Sequence, residues 1–296
     1  MQAQLACSVN AELGEGPVWV AHEQALWFVD IKGRRLHRWL PRSGMLSAWS
    51  TPGPPGFAVP RACGGLLVGV RRALYGFEPG SGTFQAVREV EPHRPENRLN
   101  DGCVSPEGEV WFGSMHDPEV EPTGSVYRLD ASGACVAMDA GYVVTNGPAF
   151  SPDGRTFYHT DSVGRTIYAF DRPEPHVLLR KRVLVRIEDP AGYPDGTAVD
   201  VEGCLWVALW GGGCVRRYAP DGRLLASVEL PCSRVTKIAF AGDDLRTAYV
   251  TTARHGLTAA ERLAQPHAGS LFSFTAPVAG LAQATVVTGV PAGGGS

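Results

Sequence analysis

A basic surplus is missing from this chain. Its 27 Lys and Arg stand against 30 Asp and Glu, a formal net charge of -3, and the cations are scattered rather than clustered. That excludes the electrostatic footprint of a nucleic-acid binder. Long apolar runs are missing too. No stretch approaches the roughly 20 apolar residues that span a bilayer. The opening Met1-Gln2-Ala3-Gln4-Leu5 has neither the basic start nor the apolar run of a signal peptide. A cytoplasmic protein with no membrane partner is expected. The seven cysteines (7, 63, 103, 135, 204, 214 and 232) form no Cys-x-x-Cys pair and have no His cluster beside them, so free, mostly buried thiols are expected. No Gly-x-Ser-x-Gly nucleophile elbow is present. The histidines are spread singly and read as surface or packing residues, with His116 and His159 singled out because they end strands in neighbouring repeats.

Glycine (36) and proline (23) are plentiful, as expected of many short strands joined by tight turns. A repeat of roughly 45 residues, the mark of a propeller, runs through the chain. In 147–171, Gly-Pro-Ala-Phe-Ser-Pro-Asp-Gly leads into two strand-like runs, Arg155 to Asp161 and Arg165 to Asp171. The same pattern recurs in 16–44, 102–130 and 196–222, and in weaker form in 64–82 and 235–274. Six copies predict an all-β, six-bladed β-propeller occupying 1–290 as a single domain, with 291–296 as a flexible tail. The alternating Leu5, Cys7 and Val9 predict an outer strand from Ala3 to Val9 that closes the last blade. Thr258-Ala259-Ala260-Glu261 is a capping box that predicts one short loop helix.

Four times a polar or acidic residue and a glycine stand just before an apolar strand: Glu15-Gly16, Asn100-Asp101-Gly102, Asn146-Gly147 and Asp195-Gly196. Asn-Gly and Asp-Gly are common turn dipeptides whose side chains cap their own backbone. Four in register are a different matter, because equivalent positions of a ring meet at one rim of its channel. Oxygen donors converging there suit Ca²⁺, Mg²⁺ or Mn²⁺, and with open positions also Zn²⁺ or Fe²⁺. The second and sixth copies carry no acid there, reading Gly56-Phe57-Ala58 and Val235-Thr236-Lys237, which leaves one side of the mouth for a ligand. Trp210, before Gly211-Gly212-Gly213, reads as a blade-packing aromatic ahead of a cavity wall.

Leu13-Gly14-Glu15-Gly16-Pro17-Val18-Trp19, Asn97-Arg98-Leu99-Asn100-Asp101-Gly102, Thr145-Asn146-Gly147 and Tyr193-Pro194-Asp195-Gly196 resemble the signature segments of the SMP-30/gluconolactonase/luciferin-regenerating-like family. The resemblance extends to about residue 275. It implies one divalent metal on Glu15, Asn146 and Asp195, substrate held by Arg98 and Asn100, and Asp195 as the acid/base. Trp111 to Asp117 and Phe157 to Asp161 look most like bacterial lactonases of pentose and related sugar acids. Mammalian-type members carry a substrate-binding acid a few residues after Gly-Thr-Met. Here Gly113-Ser114-Met115 is followed by Asp117 and Glu119 in a shorter loop.

The activity implied is metal-dependent opening of a sugar lactone such as xylono-, arabinono- or gluconolactone, by a monomer or weak homo-oligomer. The alternatives are a promiscuous metal-dependent esterase or phosphotriesterase, and a non-catalytic cation-binding propeller.

Overall fold

Each of the six repeats folds into a four-stranded antiparallel sheet in a computed structural model that describes residues 1–287. The expected tail at 291–296, and the end of the expected domain, lie outside the described residues. Blades one to five take their strands in chain order from 14–50, 55–89, 97–142, 145–186 and 193–229. The sixth combines three strands of 235–275 with Gln4–Cys7 as its outermost strand. Gln4 pairs with Ser273 and Leu5 with Phe272, so the two ends of the chain share one sheet and the ring closes as expected. The first strands of successive blades contact one another around the channel, and the strand of blade six returns to that of blade one.

The second strands, such as Ala25–Asp30 and Leu205–Trp210, are dense in β-branched and aromatic residues and buried along almost their whole length. Their side chains fill six apolar clusters, each seated between two neighbouring blades. Trp27, Trp111 and Trp206 occupy the second strands of blades one, three and five and are fully buried. Trp206 packs edge-on against Phe240 at 5.9 Å and lies 5.6 Å from Phe274 of blade six. Trp111 does the same with Phe150 and Phe157 of blade four. The Arg217 guanidinium covers Trp206, and Asp200 anchors both, accepting from Trp206 Nε1 at 2.9 Å and Arg217 Nε at 2.8 Å.

The capping box forms as read: Thr258 Oγ1 accepts from Glu261 N, and Thr258 N donates to the Glu261 carboxylate, ahead of the helix Ala259–Ala264. All seven cysteines are unpaired, but only Cys204, Cys214 and Cys232 are fully buried and Cys63 is exposed. The expectation of mostly buried thiols fails because Cys63 falls in a turn and Cys7, Cys103 and Cys135 only border the inter-blade clusters, where they stay partly exposed. No helix among the described residues is long and apolar enough to cross a membrane.

Because Trp206 is fully buried at the centre of the junction between blades five and six, Trp206→Ala is expected to cost about 3–5 kcal/mol. A denaturant midpoint unchanged from that of the parent protein would show that the aromatic clusters do not hold the ring together.

Candidate functional site

All six first strands carry a β-bulge near one end. The register slips between Glu15 and Val18, Pro55 and Phe57, Leu99 and Gly102, Asn146 and Ala149, Pro194 and Thr197, and Val235 and Lys237. A bulge bends the strand and re-aims its side chains. The polar-glycine steps therefore lie inside the strands and not just before them, since pairing resumes beyond each bulge. The glycines are what this geometry requires. Gly16 and Gly147 both sit at φ +53°, and a Cβ on Gly196 would stand 2.4 Å from Lys237 Cγ.

At the bulged end of the channel a cavity of about 440 Å³ opens, and Glu15, Arg98, Asn100, Asn146 and Asp195 all line it. Lining residues come from every blade except the second. There Gly56 presses against blade three, where a Cβ would meet Asn100 O at 2.2 Å. Glu15 and Asp195 are buried. Burial and the negative charge of Asp101 push Glu15 up to about 7, against the pull of Lys237, the Gly16 N–H and Arg98. Burial, then Glu15 and Asp101, hold Asp195 well above the usual carboxylate range. Asp195 Oδ1 is buried with no hydrogen-bond partner. Two desolvated carboxylates, one with an orphaned oxygen, lining one cavity with an amide oxygen form a donor set that fits a hard divalent cation.

Asn146 is fixed on both sides. Its Nδ2 donates to Ser162 Oγ at 3.0 Å, and its Oδ1 accepts from Asn100 Nδ2 at 2.8 Å. Asn100 also donates to Thr145 O at 2.8 Å and accepts from Arg98 Nη1 at 2.5 Å. Both amide hydrogens of Asn100 are thus engaged, and its observed task is to orient Asn146 and Arg98. Arg98 donates through Nε to Asp117 at 2.7 Å, and Lys32 lies 3.6 Å from the same carboxylate. Arg98 and Lys32 hold Asp117 below the usual carboxylate range against its partial burial. Of the two acids in the short loop, Asp117 is the one tied to Arg98, while Glu119 lines the cavity.

Asp101 does not line the cavity. It sits beneath it, fully buried, taking Gly102 N at 2.8 Å, Gly147 N at 3.0 Å and the Lys237 ammonium. Lys237 comes from the sixth blade, where the repeat pattern shows only a missing acid. The signal was available, because Lys237 follows Thr236 in the bulge register of Asp195-Gly196. The buried Glu91, which accepts from Asn97, Ser114 and Tyr127 and braces the strand bearing Arg98, gave no sequence signal; it lies outside the repeat. Tyr193, Arg234 and His255 also line the cavity unforeseen. Trp210 both lines it and packs against the cluster between blades one and two. His116 and His159 do not line it: His116 Nδ1 anchors the loop through the N–H groups of Val120 and Glu121, and His159 is buried against Tyr142.

With this geometry in view, residues 13–254 match the SMP-30/Gluconolactonase/LRE-like region. The chain belongs to that family. It is 35% identical over 290 residues to a 6-deoxy-6-sulfogluconolactonase of Pseudomonas putida, covering 96% of this chain and 98% of the relative. It is 37% identical to an L-arabinolactonase of Azospirillum brasilense, covering 99% and 97%. Among solved structures, a calcium-binding protein, regucalcin, from Agrobacterium tumefaciens superposes with a TM-score of 0.91 at 28% identity, covering 95% of this chain and 96% of the other. The family's propeller is therefore present here in full.

Removing one partner of the Asp101–Lys237 pair strands a buried charge. Lys237→Met is expected to cost about 3–5 kcal/mol, and Asp101→Asn with Lys237→Met together less than the sum of the two single changes. Strict additivity in urea unfolding would show that the pair is not coupled.

Proposed function

We propose that this protein hydrolyses a sugar lactone to the open-chain aldonic acid, with one divalent cation held by Glu15, Asn146 and Asp195. The observation that carries the reading is the meeting of two buried carboxylates and a fixed amide, from three different blades, in a cleft that also receives Arg98. Relatives named as lactonases of hexose- and pentose-type sugar acids support the substrate class, and the calcium-binding neighbour supports a divalent ion. Every donor comes from one chain, so a monomer suffices. The seven unpaired cysteines support residence in the reducing cytoplasm.

When bound, a divalent cation supplies Lewis-acid polarisation of the lactone carbonyl and lowers the pKa of water. The side chains do the rest. Asp195, with its free Oδ1, takes the proton of the attacking water as the new C–O bond forms at the lactone carbon. Its position in the cavity beside Glu15 and Asn146 places it within reach of that transfer. As the ring C–O bond breaks, Asp195 returns the proton to the leaving hydroxyl. Arg98 binds substrate oxygens and carries positive charge toward the developing oxyanion. Its aim is fixed by Asp117 and Asn100, and Asn100 extends the same wall of the substrate cleft. Substitution Asp195→Asn is expected to lower kcat/KM on aldonolactones about 10²–10⁴-fold with the melting temperature retained; full activity in that variant sinks the assignment.

A second outcome concerns pH. The Glu15 carboxyl titrates at about 7 in the metal-free fold against 4.5 when unfolded. The folded state therefore binds more protons between those values, and the stability of the metal-free protein falls as pH rises through about 7. A divalent cation binds the deprotonated form and offsets that loss. The thermal shift produced by added Ca²⁺, Mn²⁺ or Zn²⁺ after chelation is expected to be larger at pH 8 than at pH 5. An equal shift at both would place binding away from Glu15.

A further inference from the structure

The cavity wall carries one guanidinium that the reaction above does not use. Arg234 lines the cavity on the side of blade six, just before the first strand Val235–Ala241. Its guanidinium carbon lies over Trp210, 5.0 Å from the ring centre, and a backbone bridge joins the same two residues across blades five and six. Its Nε is buried without a hydrogen-bond partner. Among the described residues no carboxylate lies within ion-pairing distance of Arg234, whereas the cavity's other arginine, Arg98, is paired with Asp117. Glu261 feels the charge of Arg234 but is committed to the Thr258 cap. The acids that line the same cavity are Glu15, Asp195 and Glu119, and His255 and Tyr193 are its other titratable wall groups besides the two arginines.

A stacked, half-desolvated arginine with no counter-ion is costly to leave in place and presents its fork to a planar or tetrahedral oxyanion. Its place in the ring says which part of a substrate it meets. Arg234 precedes Thr236 by two residues as Arg98 precedes Asn100, so the two arginines share one level of the cavity, but blades three and six lie on opposite sides of the six-membered ring. A lactone whose oxyanion end meets Arg98 therefore turns its other end toward Arg234. We propose that Arg234, backed by Trp210, binds an anionic group, a sulfonate, phosphate or carboxylate, on the end of the lactone opposite its carbonyl. This specificity rests on the lactonase reading of the same cavity.

The test compares glucono-1,5-lactone with its 6-phospho and 6-sulfo counterparts. The wild-type protein is expected to favour the charged lactones by at least tenfold in kcat/KM. Arg234→Met is expected to collapse that ratio at least tenfold, and Arg234→Lys to keep a part of it. A wild-type ratio near one, or an Arg234→Met loss equal on neutral and charged lactones, overturns the proposal. If the wild type opens no lactone, the lactonase reading fails separately, and calorimetry then decides this one. With metal present, 6-phosphogluconate is expected to bind at least tenfold more tightly than gluconate, with the difference absent in Arg234→Met. Equal binding of the two acids rejects the assignment.

Discussion

Everything at the functional end of this propeller depends on one electrostatic constraint: carboxylates forced together out of water. Glu15, Asp101 and Asp195 come from three blades and share the buried centre of the ring. Like charges in a desolvated setting raise one another's proton affinity and oppose the compact state. The fold tolerates them because the lowest, Asp101, is matched by Lys237 and two backbone N–H groups. The ring itself is held elsewhere, by the six aromatic and aliphatic clusters between blades. Stability and chemistry are thus separated in space, so the centre can remain electrostatically unfavourable without unfolding the whole.

Backbone geometry converts that constraint into a site. A regular strand would send successive side chains to opposite faces. The bulge in each first strand breaks the alternation and lets Asn100 turn into the cavity while Asp101, its neighbour, points beneath it. Glycines at the bulges take the left-handed conformation or clear space for a neighbour's side chain, as Gly196 does for Lys237. The same device repeats six times, with Glu15, Asn146 and Asp195 at the bulges of some blades and Gly56 and Thr236 at those of others. An internally repeated scaffold thereby carries an asymmetric set of groups.

The repeat pattern made the fold legible in the sequence, because strand, turn and aromatic positions recur with little ambiguity from Gly16 to Phe274. The convergence of Glu15, Asn146 and Asp195 was legible for the same reason: equivalent positions of a ring meet. What was not legible lay outside the repeat or ran against it. Lys237 looked like the absence of an acid, although a cation is what three buried carboxylates require. Asn100 lines the cavity as read, but the donation of its amide hydrogens to Thr145 and Asn146 runs across a blade seam that no local pattern announces. Arg234, His255 and Glu91 sit on connecting segments or just ahead of strands, where spacing carries no information about direction.

Charge counting gives the arrangement its internal logic. Asp101 is neutralised by Lys237 and Arg98 by Asp117. That leaves Glu15 and Asp195, two negative charges beside one neutral amide oxygen, at the floor of the cavity. A divalent cation matches that residue of charge, whereas a monovalent ion would leave one carboxylate uncompensated and favour its protonation instead. Exchanging Lys237 for a neutral residue would disturb this count even though Lys237 does not line the cavity, because the floor would then carry three charges. The apparent gap in the sixth repeat therefore holds the cation that neutralises Asp101 and leaves Glu15 and Asp195 as the uncompensated pair.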